Sequence, residues 1–203
     1  MIGKLLVLTG VDGCGKSTQY ENLKDWLKKN EYSFKGITFS PRKRENYSIY
    51  HDMKYGLLDE GIEMPADIRS IILAFDTYVQ ICTELMDALN SYDIVVTDRY
   101  IESTIIYLKA RGIDSYWPYQ ILKKAPNPDL YLYIDTKIDT CIERVYTRKK
   151  KRQSHETPEI MKCVQKIFNE SMDQYGFVRV NGNGTENEVF SRIIEILRDK
   201  NII

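Results

Sequence analysis

The chain has 203 residues, with 29 Lys and Arg against 29 Asp and Glu, so its formal net charge is zero. That length favours a single domain, 1–203, over two, and the neutral balance leaves no global basic field to suggest a nucleic-acid partner. No apolar run approaches the roughly 20 residues of a membrane span, and an apolar strand starts too soon after Met1 for a leader peptide. Cys14, Cys82, Cys141 and Cys163 lack the paired short spacing of a zinc site, and a disulfide framework is not expected. The expectation is a cytoplasmic protein without a membrane partner.

The first predicted element is an apolar strand, Leu5 to Thr9. It runs into Gly10-Val11-Asp12-Gly13-Cys14-Gly15-Lys16-Ser17-Thr18, where Gly10 and Gly15 stand five apart and Lys and a hydroxyl residue follow. A helix from Ser17 to Lys29 comes next, with Tyr20, Leu23, Trp26 and Leu27 on one side. Strand, loop and helix together are the setting a phosphate-binding loop needs. Glycines let successive backbone N–H groups turn inward as an anion cradle at the helix N-terminus. Lys16 can reach the outer phosphates, and the Ser17 hydroxyl can ligate magnesium. A glycine-rich connecting turn is the plain alternative, but it does not require all four fixed positions. Gly10, Val11, Asp12, Gly13, Cys14, Gly15, Lys16, Ser17 and Thr18 are therefore the expected triphosphate site.

A second strand is predicted from Ser33 to Phe39, with Pro41-Arg42-Lys43-Arg44 after it. Helices follow from Tyr47 to Asp59 and from Pro65 to Asn90. A third strand, Ile94 to Thr97, ends in Asp98-Arg99-Tyr100. A carboxylate there can hold the magnesium shell beside a phosphate loop, and Arg99 can aim a planar cationic fork at transferring phosphates. Taken alone, such a pair is a strand-end salt bridge; beside the loop at Gly10 it reads as machinery. The remaining elements are a helix from Ile101 to Gly112, a strand from Leu130 to Ile134 and a helix from Thr136 to Lys149. A helix from Pro158 to Tyr175, a strand from Gly176 to Val180 and a helix from Glu186 to Lys200 complete the chain. Thr185 and Glu188 have the spacing of a capping box for the last helix. The alternation predicts an α/β fold, a five-stranded parallel sheet with helices on both faces. Ligands then belong at the carboxyl ends of the strands.

With these residues in place, the chain resembles the thymidylate kinase family of P-loop nucleoside monophosphate kinases. The likeness rests on the loop with its internal Asp12 and following Thr18-Gln19. It also rests on Asp98-Arg99-Tyr100 with Ser103 three residues beyond, and on Pro128-Asp129-Leu130 leading into a strand. It spans nearly the whole chain and implies a three-layer P-loop NTPase fold. The implied activity is transfer from ATP, with Mg2+, to a nucleoside monophosphate, dTMP to dTDP first of all. The alternatives are a kinase for dUMP, UMP or CMP, or a non-catalytic ATP-binding regulator. The resemblance further implies a homodimer.

Carried over position by position, Lys16, Arg99, Arg148 and Arg152 become the catalytic cations, and Ser17 and Asp98 the metal site. Asp12 matches a carboxylate that reaches toward the acceptor sugar. Gly13 stands where some members carry an arginine, and members with glycine there draw it from a lid, here about 144–156. That segment holds Arg144, Arg148, Lys149, Lys150, Lys151 and Arg152, which by themselves read equally as a solvated basic face. The acceptor contacts implied are Asp12, Arg42, Lys43, Arg44, Leu73, Thr77, Arg99 and Ser103, and Asn181 to Gly184 fall near the adenine; Tyr107, with Arg111 and Tyr78, is a candidate substitute for base contact, packing being its plainer role. The chain departs from the family at three base-contacting positions. Leu73 replaces an aromatic residue, Thr77 an arginine and Leu108 a polar side chain. Phe75 cannot substitute for the aromatic, because two positions along a helix turn it about 200° away.

Overall fold

A computed structural model of the chain describes residues 3–39, 64–148 and 155–203. The predicted helix from Tyr47 to Asp59 lies outside them, as do Arg42, Lys43, Arg44 and Arg152. Five strands form one sheet: β1 (Lys4–Thr9), β2 (Phe34–Thr38), β3 (Ile94–Asp98), β4 (Leu130–Asp135) and β5 (Phe177–Asn181). All neighbours are parallel, in the order β2-β3-β1-β4-β5. β1 and β3 are buried along nearly their whole length, as strands covered on both faces must be, and this accounts for their unbroken apolar sequences.

The strand order and the right-handed rule place the helices. From β1 the chain crosses β3's place to reach β2 through α1 (Lys16–Lys29), and every later connection runs back in the opposite direction. The connecting helices therefore fall on the other face, and α9 (Glu186–Asp199), after β5, returns to pack on α1. On that other face α4 (Ile101–Ala110) packs on α7 (Pro158–Glu170). The reversal of direction lies between β1 and β3, and a crevice opens there at their carboxyl ends.

The helices differ from the predicted ones in instructive ways. The long helix predicted from Pro65 to Asn90 is α2 (Ala66–Gln80), a π-helical turn (Ile81–Leu85) and α3 (Met86–Ser91), continuous in direction but with one turn widened. α5 (Tyr116–Leu122), which packs on α2, was not predicted because three of its large apolar residues, Tyr116, Trp117 and Tyr119, are exposed and blur the periodicity. α6 (Ile138–Thr147) starts two residues later than predicted, since the Thr136 hydroxyl lies 2.9 Å from the Cys14 carbonyl and 3.1 Å from that of Gly182. The predicted Pro158–Tyr175 helix breaks at Ser171 into α7 and α8 (Met172–Tyr175). The capping box is present: Glu188 N–H donates to Thr185 Oγ1 (3.3 Å) and Thr185 N–H to Glu188 Oε2 (2.7 Å). Asp129 closes the far end of the sheet by accepting the Leu5 N–H at 2.7 Å. Among the described residues, no helix is long and apolar enough to cross a membrane.

Candidate functional site

The crevice is a cleft of about 430 Å³ whose floor is the loop after β1. Its walls include Thr38, Asp98 and Arg99 from strand ends, Arg144, Arg148 and Glu156, and the turn Gly182 to Glu186. The register explains this grouping. Leu8 pairs with Asp98, so the end of β3 stands level with the start of the loop, and Thr38 stands opposite Asp98 on its other side.

The loop is shaped by its glycines, of which Gly13 is the most telling. It sits at φ +84°, and a Cβ there would collide with the Cys141 carbonyl of α6. No side chain, and hence no arginine, fits at that position without displacing backbone. Within the loop, the Cys14 N–H donates to the Val11 carbonyl at 3.1 Å. Cys14 itself packs into the core, and burial pushes its thiol pKa up. Lys16 folds back over the loop, with Nζ 3.5 Å from the Val11 carbonyl and 3.5 Å from Asp12 Oδ1. Ser17 Oγ donates to Asp98 Oδ2 at 2.9 Å, which places two hard oxygen donors side by side at the head of α1.

Asp12 is the hub of a second group. Arg99 Nη2 donates to its Oδ1, and the Tyr107 hydroxyl donates to its Oδ2 at 3.0 Å while accepting the Asp12 N–H at 3.1 Å. The Arg99 guanidinium also lies over the Tyr107 ring, 5.0 Å from its centroid. To reach this position Arg99 adopts φ +69°, a left-handed conformation that β-carbon-bearing residues avoid. Burial alone would raise the Asp12 pKa, but Arg99 and then Lys16 outweigh it and hold the carboxyl well below the usual carboxylate range. Burial and the Asp12 carboxylate push the Tyr107 phenol up, so it stays a neutral donor.

A consequence for acid stability follows. A depressed native pKa stabilises the fold fully above the unfolded value of about 3.9, and that contribution is lost as pH falls through the native value. Wild-type unfolding free energy therefore drops more steeply as pH falls below about 4 than that of Asp12→Asn. Denaturant titrations across that window test it, and equal slopes would contradict it.

Residues on either side of 149–154 also stand at or beside the cleft. Arg144 Nη1 donates to the Gly13 carbonyl at 3.2 Å. Arg148 Nη2 donates to both carboxylate oxygens of Glu156, at 2.5 and 2.6 Å. His155 Nε2 lies 3.6 Å from Asp12 Oδ2, with its ring edge-to-face on Tyr107, 5.5 Å between centroids.

Of the expected site residues, Gly10 to Thr18, Asp98, Arg99, Tyr107 and Arg148 come together here. Ser103 does not open into the cleft: its hydroxyl is buried, 3.0 Å from that of Thr9 and donating to Glu102 Oε1 at 3.1 Å. Thr77 is also buried, and its hydroxyl donates to the Leu73 carbonyl at 2.8 Å. Leu73 is half-buried, Leu108 buried and Phe75 half exposed, on the other side of its helix. Sequence reasoning passed over Thr38, Thr136, His155 and Glu156. The only signal for them was position: Thr38 and Thr136 stand at strand ends, and His155 is one of just two histidines.

A protein-family model described as thymidylate kinase matches residues 8–193. A probable thymidylate kinase of Pyrococcus abyssi is 26% identical over 201 residues, covering 98% of this chain and 97% of its own. A thymidylate kinase of Brachyspira hyodysenteriae is 28% identical over 206 residues, covering 100% and 97%. One of Thermococcus onnurineus, named as a probable thymidylate kinase, is 25% identical over 198 residues, covering 95% and 96%.

Proposed function

The chain belongs to the thymidylate kinase family, and on that premise we propose that it transfers the γ-phosphoryl group of ATP to the phosphate of dTMP, giving dTDP and ADP. The observation that carries the reading is Asp12, set inside the phosphate loop and held at the cleft by Arg99 and Tyr107. A protein that used ATP only as a switch would have no acceptor for such a carboxylate to face.

In this reading the loop N–H groups and Lys16 hold the donor phosphates. An oxygen of the acceptor phosphate attacks the γ-phosphorus in line, the bond to the ADP oxygen breaks, and no covalent bond to the protein forms. Asp12 accepts a hydrogen bond from the acceptor sugar. Arg99 and the lid cations Arg148 and Arg152 stabilise charge on the transferring group, in a site closed to water by residues 144–156. Arg42, Lys43 and Arg44 hold the acceptor phosphate, and Asn181 to Gly184 border the adenine. Ser17 and Asp98 suit magnesium, being hard oxygen donors 2.9 Å apart at the helix head. Magnesium held by them would supply neutralisation of negative charge on the donor phosphates. Family likeness extends the proposal to a homodimer in the cytoplasm.

A second reading, another pyrimidine monophosphate as preferred acceptor, has one observation in its favour. The Thr77 hydroxyl is spent on the Leu73 carbonyl, and a site that has lost a paired polar group discriminates bases far less well. ADP formation measured with ATP and magnesium against dTMP, dUMP, UMP and CMP separates the two. The highest kcat/KM is expected for dTMP. Turnover of dTMP no better than the others overturns the base assignment, and ATP binding without turnover of any of them overturns the kinase.

A further inference from the structure

We propose that His155 is a positioning residue for phosphoryl transfer, tying the acceptor-facing Asp12 to the lid arginine through its neighbour Glu156. The inference rests on the kinase reading above. His155 and Glu156 are consecutive and their side chains converge near Asp12, yet they meet different partners. His155 Nε2 lies 3.6 Å from Asp12 Oδ2, and its ring stands on Tyr107, which itself bonds the same carboxylate oxygen at 3.0 Å. Glu156, only 2% exposed, grips Arg148 through both carboxylate oxygens. Two adjacent residues thus connect the loop that binds phosphate to the cation that stands at its mouth.

The grouping invites a different reading. Asp12, His155 and Glu156 offer ligand atoms within 4.8 Å of one another, as a cation site would. Their charges are already answered: Asp12 by Arg99 and Lys16, and Glu156 by Arg148. An added cation would meet three resident ones. The cluster is therefore a tie between side chains. Its geometry gives His155 a specific task, to orient the Asp12 carboxylate from the Oδ2 side together with Tyr107, since Arg99 takes Oδ1. Glu156 follows His155 in the chain, so loosening the histidine also loosens the seat of Arg148.

The test pairs His155→Phe, which keeps a ring against Tyr107 but removes the polar contact, with His155→Gln, which keeps a donor. Each is measured alone and together with Asp12→Asn. His155→Phe is expected to weaken calorimetric dTMP binding and raise the KM for dTMP by about fivefold, the upper end for a single charge contact of this kind. The KM for ATP stays within about twofold, and His155→Gln recovers most of the loss. In the Asp12→Asn background the same substitution has no further effect on dTMP affinity, because coupled residues are non-additive. An unchanged KM for dTMP in His155→Phe, or additive losses with Asp12→Asn, overturns the inference while leaving the kinase reading intact. Parallel rises in both KM values, with a lowered unfolding midpoint, mark a merely structural residue and also overturn it. A wild-type protein that turns over no monophosphate overturns both.

Discussion

Lys16→Ala lowers kcat by about 10³-fold, the scale for removing a preorganised cation from phosphoryl transfer, while the unfolding midpoint moves by only a few degrees. The two halves of this expectation have separate causes. Among the described residues the ammonium is the only Lys group lining the cleft, and it stands over the loop that would hold the donor phosphates. Its two polar contacts among the described residues are both long, at 3.5 Å, so the folded state loses little when they go. Asp12 keeps Arg99 and Tyr107 as partners. Single-turnover kinetics with saturating ATP and dTMP, beside thermal unfolding, measure both. Full activity in the variant would remove Lys16 from the mechanism.

Arg99→Ala is expected to fail on both counts. Its guanidinium joins Asp12 and Tyr107 in one partly buried group, so its loss leaves two polar side chains with a partner missing. The cost to folding is about 2 kcal/mol, within the range for hydrogen bonds to charged groups, and kcat falls by about 10²- to 10³-fold. Arg99→Lys keeps a charge without the planar fork, and it restores more stability than activity. The left-handed backbone at φ +69° is as strained with alanine as with arginine, so the alanine variant gains nothing there. Arg99→Gly relieves that strain, by about 1 kcal/mol, and is the more stable of the two. Denaturant unfolding of all three variants, with kcat for each, checks the order. An Arg99→Ala protein as stable as wild type would mean that the Asp12 group carries no folding energy.

The contrast between the two variants follows from geometry that one-dimensional spacing does not contain. Lys16 is bound to Gly10 and Gly15 by a local pattern, and any chain with that pattern after a strand and before a helix can be read. Arg99 and Asp12 are 87 positions apart and meet because β1 and β3 are neighbours with Leu8 opposite Asp98. Tyr107 meets Asp12 across 95 positions through the same pairing and the helix that follows β3. Resemblance to a family could name Asp12 and Arg99 as site residues, but their hydrogen bonding to each other and to Tyr107 depends on the register.

The remaining mismatches have the same origin. The polar Ser103, three residues after Tyr100, looks from its spacing like a cleft residue. The helix it sits on turns it inward, where Thr9 and Glu102 take its hydroxyl. Glu102 is fully buried, and burial pushes its carboxyl pKa up. No hydropathy pattern marks a buried glutamate, because its cost is met by partners from other elements.

Sequence by itself determined the sheet class, the phosphate loop and its lysine and serine, the Asp98-Arg99 pair and the cap of the last helix. Each of these is a local pattern, encoded in residues within a few positions of one another. Which way Ser103 and Thr77 point, why Gly13 must be glycine, and that His155 stands beside Asp12 while Glu156 holds Arg148 emerge only once the chain is folded. Those outcomes depend on contacts between segments far apart in the chain, fixed by strand order and register, which residue spacing alone does not specify.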